Sequence, residues 1–327
     1  ISALFLSFVI LFASLTQANA KRLHAAIADW TGGIITCEVA VAILEREMGY
    51  KIKQTVFPSG TGLWEAIAAG ELDFACESWP SYAEADDVMF NEDLIYDGKV
   101  VKSYKGDGTV DLLGTTGIIG MSDYWIPRYA AEEMGIKTWR DLNKHKAKFA
   151  TIETGGKGRL IGCPVAGWNC HDQKRLDLLG IDFQADELGT EAAAIAEAKA
   201  AYMRKEPFLL YLWSPHWFFG EYDMVGVQLP EHKTCDSFTE ANNWKDCGTA
   251  AWPATGWAKD YTMNYGNPAT FASAEHADAK KFFEKMSLQN IDQAKMLVEV
   301  DIKKRDVKEV VNEWLDNNPD KWKSWLP

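Results

Sequence analysis

Four tryptophans stand in short polar segments marked by glycine or proline rather than inside apolar periodic runs. Trp30 lies in Asp29-Trp30-Thr31-Gly32-Gly33, and Trp79 in Glu77-Ser78-Trp79-Pro80. Trp168 lies in Gly167-Trp168-Asn169-Cys170, and Trp213 opens Trp213-Ser214-Pro215-His216-Trp217. The π-face of indole is the best protein surface for a cation, above all a quaternary ammonium group that offers no hydrogen bond. Any one tryptophan is equally good core material, and the chain carries 14 of them in 327 residues, so the argument rests on the set. Trp64, Trp125, Trp139, Trp244, Trp252 and Trp257 are assigned to packing or hinge walls. Trp314, Trp322 and Trp325 are assigned to amphipathic C-terminal helices.

The elements that must position these rings follow from periodicity. Leu23 to Ala28 reads as a strand, Gly33 to Met48 as a helix stopped by Gly49, and Lys51 to Phe57 as a second strand. Gly62 to Ala69 reads as a helix ended by Gly70, and Leu72 to Cys76 as a third strand. This β-α-β-α-β order predicts a parallel sheet with helices on both faces. Ligands in such sheets bind beyond the carboxyl ends of the strands, which places Asp29-Trp30 and Glu77-Ser78-Trp79 on one rim. A second region begins near Gly117: Ile118 to Met121 is apolar, Trp139 to Leu142 opens a helix and Phe149 to Ile152 reads as a strand. Thr190 to Lys205 is an Ala- and Glu-rich helix, and Phe208 to Leu212 a buried strand with Trp213 at its carboxyl end. Ser273 to Trp325 is mostly helical, with amphipathic stretches at Ala279 to Met286 and Val307 to Leu315.

Ile1 to Ala20 carries no charge, is apolar from Leu4 to Phe12 and ends in Ala18-Asn19-Ala20. It reads as a secretory signal peptide cleaved after Ala20, with the initiating Met and basic start missing, and is too short for a convincing membrane span. The formal charge of −13 repels nucleic acid and anionic membranes and remains compatible with a cationic or net-neutral small ligand. Six Cys in an exported chain point to disulfides. Cys163 and Cys170 bracket a short loop, Cys235 and Cys247 bracket the polar stretch Asp236 to Asp246, and Cys37 with Cys76 is left as the third pair.

Other chemistries are weaker in the sequence. There is no CxxC spacing for zinc, and Thr154-Gly155-Gly156-Lys157-Gly158-Arg159 lacks the phosphate-loop pattern. His171-Asp172 and His216 have no Ser or Cys nucleophile in a recognisable elbow; His216 reads as a hydrogen-bonder within its own turn. Glu231, Asp236, Glu240 and Asp246 form an acidic loop without calcium-loop spacing. No catalytic set, metal or cofactor is expected.

Trp79-Pro80, Gly162-Cys163-Pro164 through Gly167-Trp168-Asn169-Cys170, and Tyr211-Leu212-Trp213-Ser214-Pro215-His216-Trp217 resemble the motifs of the glycine betaine/proline-betaine substrate-binding proteins of ABC uptake systems. Their order and spacing match across essentially the whole chain after the leader. Gly62-Leu63-Trp64-Glu65-Ala66-Ile67 through Leu72-Asp73 fits less specifically. The resemblance implies a two-lobe α/β fold of the type II periplasmic-binding class, each lobe a mainly parallel sheet flanked by helices, joined by two hinge crossings. Residues 21–117 and 252–327 would form one discontinuous lobe, and 118–251 the other. Carried over by position, Trp79, Trp168 and Trp213 form an aromatic cage around an onium head. Trp30, found in the choline- and betaine-type branch, is the fourth wall. The backbone N–H groups of Asn169 and Cys170 would bind a ligand carboxylate, and Trp217 would face the ligand or pack behind Trp213.

Each well-placed ring contributes about 0.5–2 kcal/mol to holding a cation, and a bridge at Cys163–Cys170 preorganises Trp168. Glu77, two residues before Trp79 on a strand end, points the same way. It adds attraction for a cation and repels a ligand carboxylate, favouring choline, or trimethylamine N-oxide if Glu77 shares a proton with its oxygen; the plain reading is a solvated rim charge or a lysine's partner. Gly32 and Gly33 open a helix whose free amides can hold an anionic oxygen, or simply start it. The sequence therefore predicts a periplasmic, monomeric solute-binding protein. It captures a glycine betaine-type ligand, trimethylamine N-oxide, choline or dimethylsulfoniopropionate and delivers it to an inner-membrane permease and ATPase complex. The competing classes are an exported enzyme acting on such amines and a ligand-sensing receptor module.

Overall fold

A computed structural model describes residues 20–82, 84–232 and 255–327. The expected leader up to Asn19, the Cys235–Cys247 pair, the acidic positions Asp236, Glu240 and Asp246, Trp244, Trp252 and the expected boundary at 251/252 lie outside the described residues.

The chain opens as its periodicity predicts. Strand β1 (Lys21–Ile27) leads into helix α1 (Thr31–Met48), whose residues are buried over most of its first three turns and which ends at Gly49. Strand β2 (Tyr50–Val56), helix α2 (Thr61–Ala68) and strand β3 (Phe74–Ser78) follow, and β3 is buried along its whole length. Both β2 and β3 pair in parallel with β1, as crossover helices require. Helix α3 (Glu84–Met89) and the hairpin of β4 (Asp93–Tyr96) and β5 (Lys99–Ser103) then decorate this half.

The apolar stretch at Ile118 to Met121 belongs to one long strand, β6 (Asp111–Pro127), and the expected boundary at 117/118 falls within it. Helices α4 (Arg128–Met134) and α5 (Trp139–Phe149) come next, then strand β7 (Gly158–Ile161). The expected strand at Phe149 to Ile152 is not formed. Phe149 is buried as the last residue of α5, Ile152 is 96% exposed, and the Gly-rich turn that follows delivers the strand nine residues later than expected. A single 3-10 turn (Ala166–Trp168), helix α6 (Asp172–Leu178), strand β8 (Phe183–Asp186), helix α7 (Glu191–Met203) and strand β9 (Leu209–Ser214) complete a second parallel set, β8-β7-β9. Helix α8 (Phe218–Glu221) and the short strand β10 (Met224–Gly226) lead away from it.

The chain returns through β11 (Lys259–Gly266), followed by helices α9 (Pro268–Ala272), α10 (Ala277–Lys285), α11 (Asn290–Leu297), α12 (Val307–Asn317) and α13 (Pro319–Trp322). Strand β11 lies antiparallel between β3 and the first part of β6, while the last part of β6 pairs antiparallel with β9 and β10. The two parallel sets are thereby joined into one sheet of order β2-β1-β3-β11-β6-β9-β7-β8. Trp314, Trp322 and Trp325 bury against α1 in the first core, and a separate core surrounds β7 and β9. Cys37 of α1 is bridged to Cys76 of β3, and Cys163 to Cys170.

Candidate functional site

Each of the four singled-out rings is delivered by an element end. Trp30 follows β1 and starts α1 with extended backbone (φ −131°, ψ 151°). Its ring lies over the helix start because residue 33 is glycine: a Cβ there would sit 2.6 Å from Trp30 Cε2 and 2.6 Å from Ala28 Cβ. Gly33 thus makes room for the ring; both glycines are buried, and Gly32 O accepts from Gln293 Nε2 at 3.1 Å. Trp79 follows β3 and rests on Gly120 of β6, where a Cβ would collide with the ring. Trp168 closes the turn inside the Cys163–Cys170 loop, and Trp213 stands at the end of β9. Trp168 contacts Trp30 edge-on at 5.8 Å and Trp213 at 5.5 Å, both with planes 75° apart.

All four rings line one cavity, with Glu77 and Asn169. Cys170, Gly32, Gly33 and Trp217 are not among its walls; Trp217 stacks on His216, centroids 5.6 Å apart. Four further aromatic walls are not among the residues the sequence assigns to the ligand: Trp64, Tyr82, Tyr211 and Tyr265. Tyr211 precedes Trp213 by two on a strand, so the period-2 rule alone puts both on one face. Trp64 was placed in packing, and it does pack, stacked on Tyr265 at 4.2 Å, while also facing the cavity.

Glu77 is neither a solvated rim charge nor a lysine's partner. It is 1% exposed and adopts left-handed backbone, φ 58°, a region in which a non-glycine residue is strained by roughly 1–3 kcal/mol. Its Oε1 accepts from the indole N–H of Trp30 at 3.2 Å and of Trp79 at 3.3 Å. Its Oε2 accepts from Gln293 Nε2 at 2.7 Å and from the Thr36 hydroxyl. Burial raises its pKa above the usual carboxylate range, and these four donors pull it back. All four are neutral, so when Glu77 is ionised its charge is hydrogen-bonded but not neutralised by them. An aromatic cavity with an uncompensated carboxylate behind two of its rings is built to attract a cation.

A second acid orients a third ring. Trp168 Nε1 donates to Asp29 at 3.3 and 3.4 Å from its two oxygens, and Ser59 Oγ donates to the same carboxylate at 2.9 Å. The loop behind Trp168 is fixed by Asp172, which accepts from Cys163 N at 2.6 Å and from Tyr124 OH at 2.8 Å. Arg175, fully buried, donates to the Cys170 carbonyl at 3.1 Å. Opposite this loop, the backbone at Gly60 approaches that at Gly167 closely: a Cβ on Gly60 would lie 2.9 Å from Gly167 O. Glu191 of α7 accepts from the first N–H of α1, at Thr31, at 3.3 Å and pairs with His216 Nε2 at 3.0 Å. His216 Nδ1 accepts from Phe218 N, so this residue holds its own turn as expected. Among the described residues no group of three His, Cys, Asp or Glu is placed to hold a metal ion.

The family model described as the substrate-binding domain of ABC-type glycine betaine transport systems matches residues 21–317. A trimethylamine N-oxide-binding protein of Pelagibacter ubique (strain HTCC1062) is 25% identical over 330 residues, covering 98% of this chain and 96% of the relative. The lactococcal glycine betaine-binding protein, in its closed-liganded conformation with glycine betaine, superposes with a TM-score of 0.66 at 15% identity, over 94% of this chain and 100% of that one. An ABC-transporter choline-binding protein in complex with choline superposes with a TM-score of 0.65 at 14% identity, over 94% and 91% of the two chains. The two-lobe fold is thereby that of the type II periplasmic binding proteins.

Proposed function

This chain belongs to the family of substrate-binding domains of ABC-type glycine betaine transport systems, proteins that bind rather than transform their ligands; from that premise we propose that it captures a small onium osmolyte without a carboxylate, trimethylamine N-oxide first and choline second. The observation that carries this reading is Glu77, buried, ionisable and clamped by the indole N–H groups of Trp30 and Trp79. Methylated onium heads offer no N–H, so π-faces and a nearby negative charge are the groups that hold them. A ligand carboxylate in the same cavity meets the field of Glu77 and loses affinity. The 98% coverage by a relative that binds trimethylamine N-oxide supports the same choice.

Trp30, Trp79, Trp168 and Trp213 hold the head. Asn169, a cavity wall with left-handed backbone at φ 57°, supplies the amide that takes the anionic end of any carboxylate-bearing ligand. Residues 21–117 with 252–327 act as one lobe and 118–251 as the other, closing by rotation about β6 and β11 so that ligand stabilises the closed form. The loaded protein, monomeric and periplasmic after cleavage behind Ala20, then presents the ligand to its permease and ATPase complex.

Calorimetry with trimethylamine N-oxide, choline, glycine betaine and dimethylsulfoniopropionate tests this, on the native chain and on Glu77→Gln. The expected result is tighter binding of the two carboxylate-free ligands, with a preference that shrinks in Glu77→Gln. Glycine betaine binding tightest, with equal affinity for both forms, would overturn it.

A further inference from the structure

Two phenols stand among the walls of the cavity. Tyr82, in the segment after β3, and Tyr211, on β9, both line it. Tyr211 OH donates to Tyr82 OH at 3.0 Å. Tyr82 lies beside Trp79, centroids 6.4 Å apart, and Tyr211 beside Trp213 at 6.0 Å. Burial raises both phenols above their ordinary pKa, so both remain neutral and keep their protons as hydrogen-bond donors. Ser122, 2% exposed, adjoins both phenols and its hydroxyl interacts with each of them.

The donor count is the point. A phenol carries one proton to give and can also accept. Tyr211 spends its proton on Tyr82, which leaves the Tyr82 proton for the neighbouring Ser122 hydroxyl or for a stronger acceptor. The hydrogen bond from Tyr211 also polarises the Tyr82 hydroxyl and strengthens it as a donor. A hydrogen bond to a charged acceptor is stronger than one to a neutral hydroxyl, so a negatively polarised ligand oxygen in the cavity takes that proton in preference to Ser122. An N-oxide oxygen carries most of a negative charge and is a far stronger acceptor than an alcohol or an ether.

We propose that the Tyr82–Tyr211 hydroxyl pair is the oxygen-recognising end of the cavity, with Tyr82 donating to the N-oxide oxygen and Tyr211 acting as a positioning residue through Tyr82. The proposal rests on the onium reading above and adds the ligand's orientation: methyl groups towards the indoles and Glu77, oxygen towards the phenols. It makes the pair the specificity determinant for onium ligands that carry a compact, negatively polarised oxygen next to the nitrogen.

The test compares trimethylamine N-oxide with tetramethylammonium, which has the same head and no oxygen. Both are titrated by calorimetry into the native chain, Tyr82→Phe and Tyr211→Phe. Thermal melting of each variant without ligand confirms that it is folded. Tyr82→Phe is expected to lose about tenfold or more in affinity for the N-oxide, as for loss of one hydrogen bond to a charged acceptor, and less than twofold for tetramethylammonium. Tyr211→Phe is expected to show the same selectivity with a smaller loss. Equal losses for both ligands would reduce the pair to cavity packing and overturn the proposal, as would unchanged N-oxide affinity in Tyr82→Phe. Failure of the native chain to bind either ligand is a different result: it overturns the onium reading itself.

Discussion

Trp168 and Asp29 meet across the cleft, the indole N–H 3.3 and 3.4 Å from the two carboxylate oxygens. A ring carried by the Cys163–Cys170 loop is therefore oriented by an acid carried at the end of β1. The contact that sets the ring angle also ties residue 29, after β1, to residue 168, in the disulfide loop after β7. Asp29→Ala is expected to weaken ligand binding about tenfold, and Asp29→Asn less, since its amide oxygen still accepts from the indole. Calorimetry on the two variants checks the order; equal effects would show that charge, and not ring orientation, is what Asp29 supplies.

Replacing Trp30, Trp79, Trp168 or Trp213 singly by Ala should weaken onium binding at least about tenfold each, equivalent to roughly 1.4 kcal/mol. Trp30 and Trp79 should show the larger losses, because their removal also leaves Glu77 short of a hydrogen-bond donor in a buried site. Unchanged affinity in two of the four would remove the cage as an explanation.

On the proposed reading, cation binding is expected to depend on the ionised form of Glu77. Its pKa is raised by burial, and a bound cation favours the carboxylate and so lowers it again. Affinity for a permanently charged ligand such as choline should therefore rise with pH as Glu77 ionises and then level off. Titrations across pH 4 to 8 should show this slope in the native chain and lose it in Glu77→Gln. A slope that survives in the variant assigns the proton to another group.

The approach of Gly60 to Gly167 can be blocked without backbone strain. A Cβ on residue 167 would lie 3.0 Å from Ser59 O, and Gly167 is not held at positive φ. Gly167→Ala should weaken ligand binding several-fold while leaving the melting temperature of the ligand-free protein nearly unchanged. A fall in melting temperature with intact affinity would place the contact in folding and not in closure.

Asp260 lies on β11 with Oδ1 accepting from Ser81 N at 2.8 Å and Oδ2 buried without a partner. Burial pushes its pKa from 3.8 up to about 7. A carboxyl that folding makes less acidic favours the fold most below its unfolded pKa, and that contribution is lost as pH rises through about 7. Asp260→Asn should therefore flatten the decline in stability between pH 4 and 7, measured by denaturant melts. A decline of the same size in the variant would move the effect to Asp86 or Asp123, which burial raises to about 8 and about 7.

The rings were legible because polar, glycine-marked contexts around Trp30, Trp79, Trp168 and Trp213 break the periodicity that core tryptophans follow. The depth of Glu77 was not. Strand alternation put it beside Trp79 at the rim, whereas its left-handed backbone turns it inward to donors from Thr36 and from Gln293, a residue 216 positions later. Local patterning carries no signal for such a partner. Tyr211 looks like core because it stands in the apolar run Leu209 to Leu212, yet pairing it with Trp213 on its strand would have found it. Tyr82, in the polar segment Pro80-Ser81-Tyr82-Ala83-Glu84, carries no such local signal. The misplaced strand at Phe149 to Ile152 shows the usual ambiguity of a short apolar run at a helix end.

Strand β11 supplies the first half of the sheet with its inner partner for β3, and α10 to α13 cover the far side of α1. Both come from the last quarter of the chain. The earliest segments to emerge during synthesis therefore have no finished surface to fold against until nearly the whole polypeptide has been made. Completion of the first half of the sheet is thus a late, long-range event that joins residues more than 180 positions apart, as between Ser78 and Met263.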